Sequence, residues 1–315
     1  LLAFCLSVNA KNKDDMNENN KTVRLIYPQW QGGNISGWVT QVSDHDAADR
    51  GYFLGSQLLN FLAPSPEGQE VITVPIDTAK KKREIQDGVL DRDVIAHQSA
   101  IALNMLKESS PSRIVTLGGE CSVSVVPFTY LASKYDDVAM IWIDAHPDIT
   151  LPGDDYAGYH AMAVTACMGI GDNKIIKILP AHISPQRILY VGIRDWERDE
   201  VKRRQEQYGI PYLVPEDVSV NSDKVIDWIK KSGSKHVVVH FDMDVLDPSQ
   251  IIAAVADSPS GGMKLEEVVR LINDISKCTD VVGLTVAEPM PRVAIRLKMM
   301  LQSLPLLSAN HNNER

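Results

Sequence analysis

Paired cysteines are missing from this chain. Its four cysteines, Cys5, Cys121, Cys167 and Cys278, are scattered without any C-x-x-C spacing. Neither a disulfide framework nor a structural zinc knuckle is indicated, and a cytoplasmic location is expected. An excess of positive charge is also missing. Lys and Arg number 32 against 41 Asp and Glu, a net charge of −9, whereas a nucleic-acid binder needs clustered cations. The one basic run, Lys80-Lys81-Lys82-Arg83, reads as a solvated loop. No apolar stretch approaches the ~20 residues of a membrane span. Partners are therefore expected to include neither nucleic acid nor membrane. No internal repeat and no long Gly/Ser or Pro linker divides the 315 residues, enough for one large core.

The first 21 residues stand apart. Leu1 to Ala10 resembles the end of a secretory apolar region, and Lys11 to Lys21 is polar and Asn-rich. Residues 1–21 are expected to be a disordered or misassigned N-terminal extension, with Met16 as the true start, ahead of one domain over 22–315.

From there, short Val- and Ile-rich runs alternate with amphipathic stretches. The runs Val23–Tyr27, Val71–Ile76, Arg113–Leu117, Val138–Ile143, Arg187–Ile193, Pro211–Val214, His236–Phe241 and Val281–Val286 read as strands. Several are apolar at consecutive positions, as in strands covered on both faces. Leu90, Val94, Ile101 and Met105 recur at helical spacing, as do Leu265, Val268, Ile272 and Ile275. The fold class expected is α/β: a single-domain, three-layer α/β/α arrangement with a mostly parallel sheet of about eight strands.

Two of the runs end in metal-ligand chemistry. Asp144-Ala145-His146-Pro147-Asp148 follows Val138–Ile143, and Asp242-Met243-Asp244 follows Val237–Phe241. In extended backbone, residues two apart point the same way, so Asp144, His146 and Asp148 can face one point, as can Asp242 and Asp244. Burying these carboxylates together is prohibitive unless something positive neutralises them. One divalent cation does so, and two do so better. The plain alternative is strand-end caps and turn-forming Asp residues, which is the reading given to Asp247-Pro248. His240, on the strand before Asp242, reads as structural. Ile149 to Tyr159, the longest irregular stretch, reads as a substrate loop, because ligands bind beyond the carboxyl ends of strands.

Other strand ends add Gly118-Gly119-Glu120-Cys121-Ser122, Arg194-Asp195-Trp196-Glu197 and Ala287-Glu288-Pro289, with Tyr159-His160-Ala161-Met162 closing the long loop. Together with the ligand runs, these resemble the ureohydrolases: arginase, agmatinase and relatives, which hydrolyse guanidinium or formimino groups at a two-manganese centre. The family's signatures G-G-[DE]-H-S, D-A-H-x-D and S-x-D-x-D-x-x-D-P stand here as Gly118–Ser122, Asp144–Asp148 and His240–Pro248. The resemblance runs from about Leu25 to the C-terminal helix and implies an arginase-like fold. It makes Asp144 and Asp242 bridging ligands, with Asp148 completing one metal site and His146 and Asp244 the other. It makes His160 the proton shuttle and Glu288 the guanidinium-binding carboxylate. Asp195 and Glu197 match an acidic pair beside the substrate. It also implies two divalent ions, a small guanidino substrate and a homo-oligomer, trimer or hexamer.

This chain departs from the family at several places. Cys121 replaces the first ligand His, which admits Zn²⁺ or Fe²⁺ beside Mn²⁺ because thiolate is a soft donor. Cys121 reads as a ligand, as a small buried thiol, or as a deiminase-like nucleophile. Thr150 stands where arginase has an Asn that helps hold the substrate carboxylate, and Ile149–Tyr159 lacks the Ser-Gly-Asn-type sequence. Ala256-Asp257-Ser258-Pro259 replaces a T-G-T-P-like segment. The activity expected is hydrolysis of a C–N bond in a guanidino or amidine compound. The alternative is a non-catalytic homologue with a degenerate metal site.

Overall fold

The computed structural model describes residues 21–79, 82–252 and 260–307. The N-terminal stretch before Lys21, with its proposed start at Met16, and the segment Ala256–Pro259 lie outside the described residues. All eight expected strands form, in one sheet of order β2-β1-β5-β10-β9-β6-β7-β8 with every neighbouring pair parallel. They are β1 (Thr22–Tyr27), β2 (Glu70–Thr73), β5 (Arg113–Gly118), β6 (Ala139–Ile143), β7 (Ile188–Val191), β8 (Tyr212–Leu213), β9 (His236–Asp242) and β10 (Asp280–Ala287). The helices that matter below are α1 (Gly51–Leu62), α2 (Arg92–Ser109), α3 (Val125–Lys134), α4 (Asp199–Tyr208), α5 (Asp223–Ser232), α6 (Leu265–Cys278) and α7 (Arg292–Gln302).

Strand alternation divides the core into two layers. Met140, Trp142, Ile188, Tyr190 and Val238 point to one face, against Phe128 and Leu131 of α3 and Ala102 and Leu106 of α2. Ile141, Ile143, Leu189, Val191, Val237 and Val239 point to the other, against Val225 and Ile229 of α5 and Val268, Leu271 and Ile275 of α6. Each fully buried Val, Leu, Ile, Met or Phe among them contributes roughly 1.5–3 kcal/mol by leaving water. These helical residues recur every three or four positions, so one stripe of each helix meets the sheet. Among the described residues no helix is long and apolar enough to cross a membrane.

One feature differs from the sequence expectation. Leu90 belongs not to a helix but to a hairpin, β3 (Ile85–Gln86) with β4 (Val89–Leu90), and α2 starts only at Arg92. Its turn is Asp87-Gly88, both with positive φ (47° and 82°), the geometry that favours an Asp-Gly pair. The hairpin braces the long loop. Leu90 N donates to Ala157 O at 2.9 Å, and a Cβ on Gly88 would fall 2.3 Å from Gly153 N.

Register then decides what can meet. Leu117 pairs with Val286, Val286 with Phe241, Phe241 with Ile143 and Ile143 with Val191. The next residues, Gly118, Ala287, Asp242, Asp144 and Gly192, therefore form one row across five adjacent strands. Every strand-end motif opens from that row.

Candidate metal centre and active-site cavity

Asp144 and Asp242 come first in their runs and are fully buried. Trp142 Nε1 donates to Asp144 Oδ2 at 2.8 Å and His146 N to Asp144 Oδ1 at 2.7 Å. Asp244 N donates to Asp242 Oδ1 at 2.6 Å, and the Cys121 thiol lies 2.9 Å from Asp242 Oδ2. His146 Nδ1 sits 2.8 Å from Asp244 Oδ2, while Ala145 N donates to Asp244 Oδ1 at 3.1 Å. Asp148 is buried, with Oδ2 lacking any hydrogen-bond partner. Its φ of 49° is a left-handed conformation, held by Val164 N donating to Asp148 O at 3.0 Å. Backbone strain of this kind is retained where the surroundings demand it.

The electrostatics follow from crowding. Burial, then the charge of Asp244, push the Asp144 carboxyl up to about 7. Burial followed by neighbouring carboxylates raises Asp148 and Asp242 well above the usual range. Burial alone would lower the His146 imidazole, but Asp244 and Asp144 together hold it well above its ordinary value. The thiol of Cys121 is raised by burial and by the surrounding carboxylates. Such a site calls for positive charge. Among the described residues three donor groups have ligand atoms within 4.8 Å of one another: Cys121, Asp144, His240 and Asp242; Asp144, His146 and Asp244; and Cys121, His160 and Glu288. Hard oxygens with imidazole, and a thiol on one side, fit divalent transition ions.

Above the cluster lies a cavity of about 180 Å³. Ten of the eleven sequence-nominated residues line it: Cys121, His146, Asp148, Thr150, His160, Asp195, Glu197, Asp242, Asp244 and Glu288. Asp144 lies beneath. Glu288 has φ of 61°, and its carboxylate accepts from Cys121 N at 3.0 Å and contacts His160 Nδ1 at 3.2 Å. The other ring nitrogen of His160 hydrogen-bonds with Tyr156 Oη at 2.6 Å. Burial disfavours the charged form of both partners, raising Glu288 to about 8 and lowering His160 to about 3.

Outward, Asp195 Oδ2 lies 3.8 Å from His146 Nε2, and its Oδ1 accepts from Glu197 N at 2.7 Å. These acids lie in the loop before α4, which begins at Asp199. Thr150 is buried, and its hydroxyl oxygen accepts from Arg198 Nη2 at 3.0 Å.

Several contributors escaped the sequence reading. Tyr156, four residues before His160, fixes that ring. Arg198 sits behind Thr150. Ile35, Trp38 and Tyr52 form the apolar wall of the cavity; no local pattern marks them, because they reach it only through the fold. Trp142 and His240 did carry a signal. Each lies two residues before one of the buried aspartates Asp144 and Asp242, on the same strand face.

Residues 71–302 match the family model described as the arginase family. The arginase of Entamoeba histolytica is 28% identical over 187 residues, covering 57% of this chain and 62% of that protein. The arginase of Saccharomyces cerevisiae is 26% identical over 273 residues, covering 82% and 78%. The chain thus spans less than two thirds of the first relative's length. Among solved structures, Entamoeba histolytica arginase in complex with L-ornithine superimposes with a TM-score of 0.71 at 20% identity, over 89% of this chain and 96% of that one, a likeness of fold. With the family model matching most of its length and the signature runs seated side by side at the strand ends, this chain belongs to the arginase family.

Proposed function

We propose that this protein is a metal-dependent hydrolase that cleaves a C–N bond of a guanidino compound, releasing urea or an analogue and an amine. The observation that carries the reading is the convergence of buried acids, an imidazole and a thiol on a cavity that Glu288 and His160 also line. Asp144 and Asp242 would be shared between two ions, with Asp148 and Cys121 on one side and His146 and Asp244 on the other. Bound divalent ions would supply Lewis-acid activation of water at neutral pH. Glu288 binds the planar guanidinium cation by charge-assisted hydrogen bonds and aims its carbon inward. A cation at 3 Å range also favours the carboxylate that burial disfavours. His160, oriented by Tyr156 and Glu288 and neutral at rest, relays to the departing amine a proton taken up within the same turnover. Asp195 and Glu197, among the more exposed lining residues, together with the buried Thr150, would meet the far end of the substrate, and arginine is the first compound to test. Residues 22–315 form the single catalytic domain, in a cytosolic homo-oligomer.

A panel of arginine, agmatine, other guanidino acids and formiminoglutamate, run with manganese, iron, cobalt and zinc separately, tests this directly. Urea (or formamide from the formimino compound) without free ammonia is expected, abolished by chelation. Ammonia release that survives chelation would favour a nucleophilic Cys121 instead. The non-catalytic alternative rests on Cys121 replacing the ligand His, and a protein that takes up no ion after reconstitution would support it.

A further inference from the structure

His240 lies two residues before Asp242 on β9, and register sets it opposite Trp142 of β6. The two rings stack at 3.6 Å with planes 8° apart. Its Nδ1 hydrogen-bonds with Ser124 Oγ at 2.8 Å. The other ring nitrogen, Nε2, is fully buried and has no hydrogen-bond partner. It faces the acid cluster, 3.9 Å from Asp144 Oδ2. Its neighbours there are Cys121 Sγ and oxygens of Asp144 and Asp242, all within 4.8 Å of one another. Ligands held at roughly 2.0–2.3 Å from one ion lie up to about 4.6 Å apart, so a small inward shift of these side chains would bring them onto a single ion. A structural histidine would spend both nitrogens on hydrogen bonds. This one is stacked and tethered so that a bare nitrogen points at carboxylates.

We infer that His240 Nε2 is a ligand of the deeper metal site, supplying from β9 the imidazole that position 121 lacks. The site is then His240, Cys121, Asp144 and Asp242, with Asp148 at its edge. This rests on the proposed metal-dependent reading and extends it to residues that reading leaves structural. Ser124 becomes the outer partner: Nδ1–H donating to its hydroxyl oxygen leaves the lone pair on Nε2, the usual way a ligand histidine has its tautomer set. Trp142 has two tasks, holding the His240 ring by its face and Asp144 by its indole N–H. The two sites also become chemically unequal. Nitrogen, sulfur and oxygen at the deeper one suit zinc or cobalt, while His146 with the carboxylates of Asp144, Asp242 and Asp244 suits manganese.

The test uses the full chain, stripped of metal and reloaded with zinc or cobalt alone. Zinc X-ray absorption should show imidazole scattering from two rings per two ions in the wild type, halved in His240→Ser. Cobalt should give a near-ultraviolet thiolate charge-transfer band that Cys121→Ser removes. Chelator competition should show one zinc site weakened at least about 100-fold in His240→Ser and about 10–100-fold in Ser124→Ala, the other site unchanged. If His240→Ser does not fold, His240→Gln keeps an amide for Ser124 and is read the same way. The double change Cys121→His with His240→Ser should recover much of the lost zinc affinity. Unchanged imidazole scattering and unchanged zinc affinity at position 240 overturn this assignment while leaving the hydrolase reading intact. A wild-type protein that binds no ion overturns both.

Discussion

Asp242→Asn should make the metal-free protein more stable and the metal-loaded protein less stable than wild type. Asp242 is buried between the Asp244 N–H, at 2.6 Å, and the Cys121 thiol, at 2.9 Å. Burial, then Asp244 and Asp144, push its carboxyl well above the ordinary range, so without cations the fold carries acids it would rather not ionise. The amide keeps the shape and one acceptor oxygen while removing the charge. Relief of about 1–3 kcal/mol is expected, the mutational scale for poorly compensated buried polar groups. In the wild type, ion at a hundredfold excess over Kd adds roughly 2.7 kcal/mol per site by mass action. Two independent sites add about 5 kcal/mol, or roughly 10–20 °C at about 2–4 °C per kcal/mol. Calorimetry at mildly alkaline pH, in chelator and in saturating manganese or zinc, gives all four melting temperatures, and the two proteins should exchange order. A wild type that melts at one temperature in both conditions, or a variant that gains as much from the ion, would mean that cations do not relieve this crowding and the proposed centre is wrong.

Arg204 of α4 clamps the long loop, donating to Ile149 O at 2.8 Å and to both Asp154 oxygens at 2.7 and 3.1 Å. Arg204→Met should cost about 1.5–3 kcal/mol in urea unfolding and lower kcat/KM, since the same loop carries Thr150 and Tyr156. Burial alone would raise the Asp154 carboxyl, but Arg204 and the Leu151 N–H outweigh it and leave it below the ordinary value. A carboxyl lowered in the folded state stabilises above its unfolded pKa of about 4 and loses that contribution as pH falls through the folded value. The stability gap between wild type and Arg204→Met should therefore narrow below about pH 4; a gap constant from neutral to acid pH would rule out the ion pair as its cause. Gly119→Ala should destabilise by about 1–3 kcal/mol or more, because its Cβ would lie 1.7 Å from Gln29 O and Glu288 N donates to Gly119 O at 2.7 Å. A loss under about 0.5 kcal/mol in the same unfolding assay would show that this turn yields freely.

What could be read along the chain was whatever repeats or alternates. Strands such as Ala139–Ile143, apolar at every position and buried throughout, announce a covered parallel sheet. Acids placed directly after them mark the carboxyl ends where sites form. The hairpin at Ile85–Leu90 went unread because two-residue strands carry no periodicity, although Asp87-Gly88 was its local sign. Strand order is a different matter. β10 inserts between β5 and β9, so Glu288 arrives beside Cys121 from 167 residues away, and nothing local to either position encodes that meeting.

His240 shows where the boundary falls. Alternation alone puts it on the Asp242 face of β9, as it puts Trp142 on the Asp144 face of β6. Only the pairing of those two strands turns the observations into one object, by setting Trp142 against His240 in the same register that sets Ile143 against Phe241. The stack fixes the ring, Ser124 takes one nitrogen, and the other has nowhere to point except the acids. A residue that reads as structural from its own strand thus acquires chemistry from its neighbour's. The same logic applies to Cys121, whose thiol is a weak ligand in isolation. It gains meaning from the imidazole that β9 brings to within 4.8 Å of it.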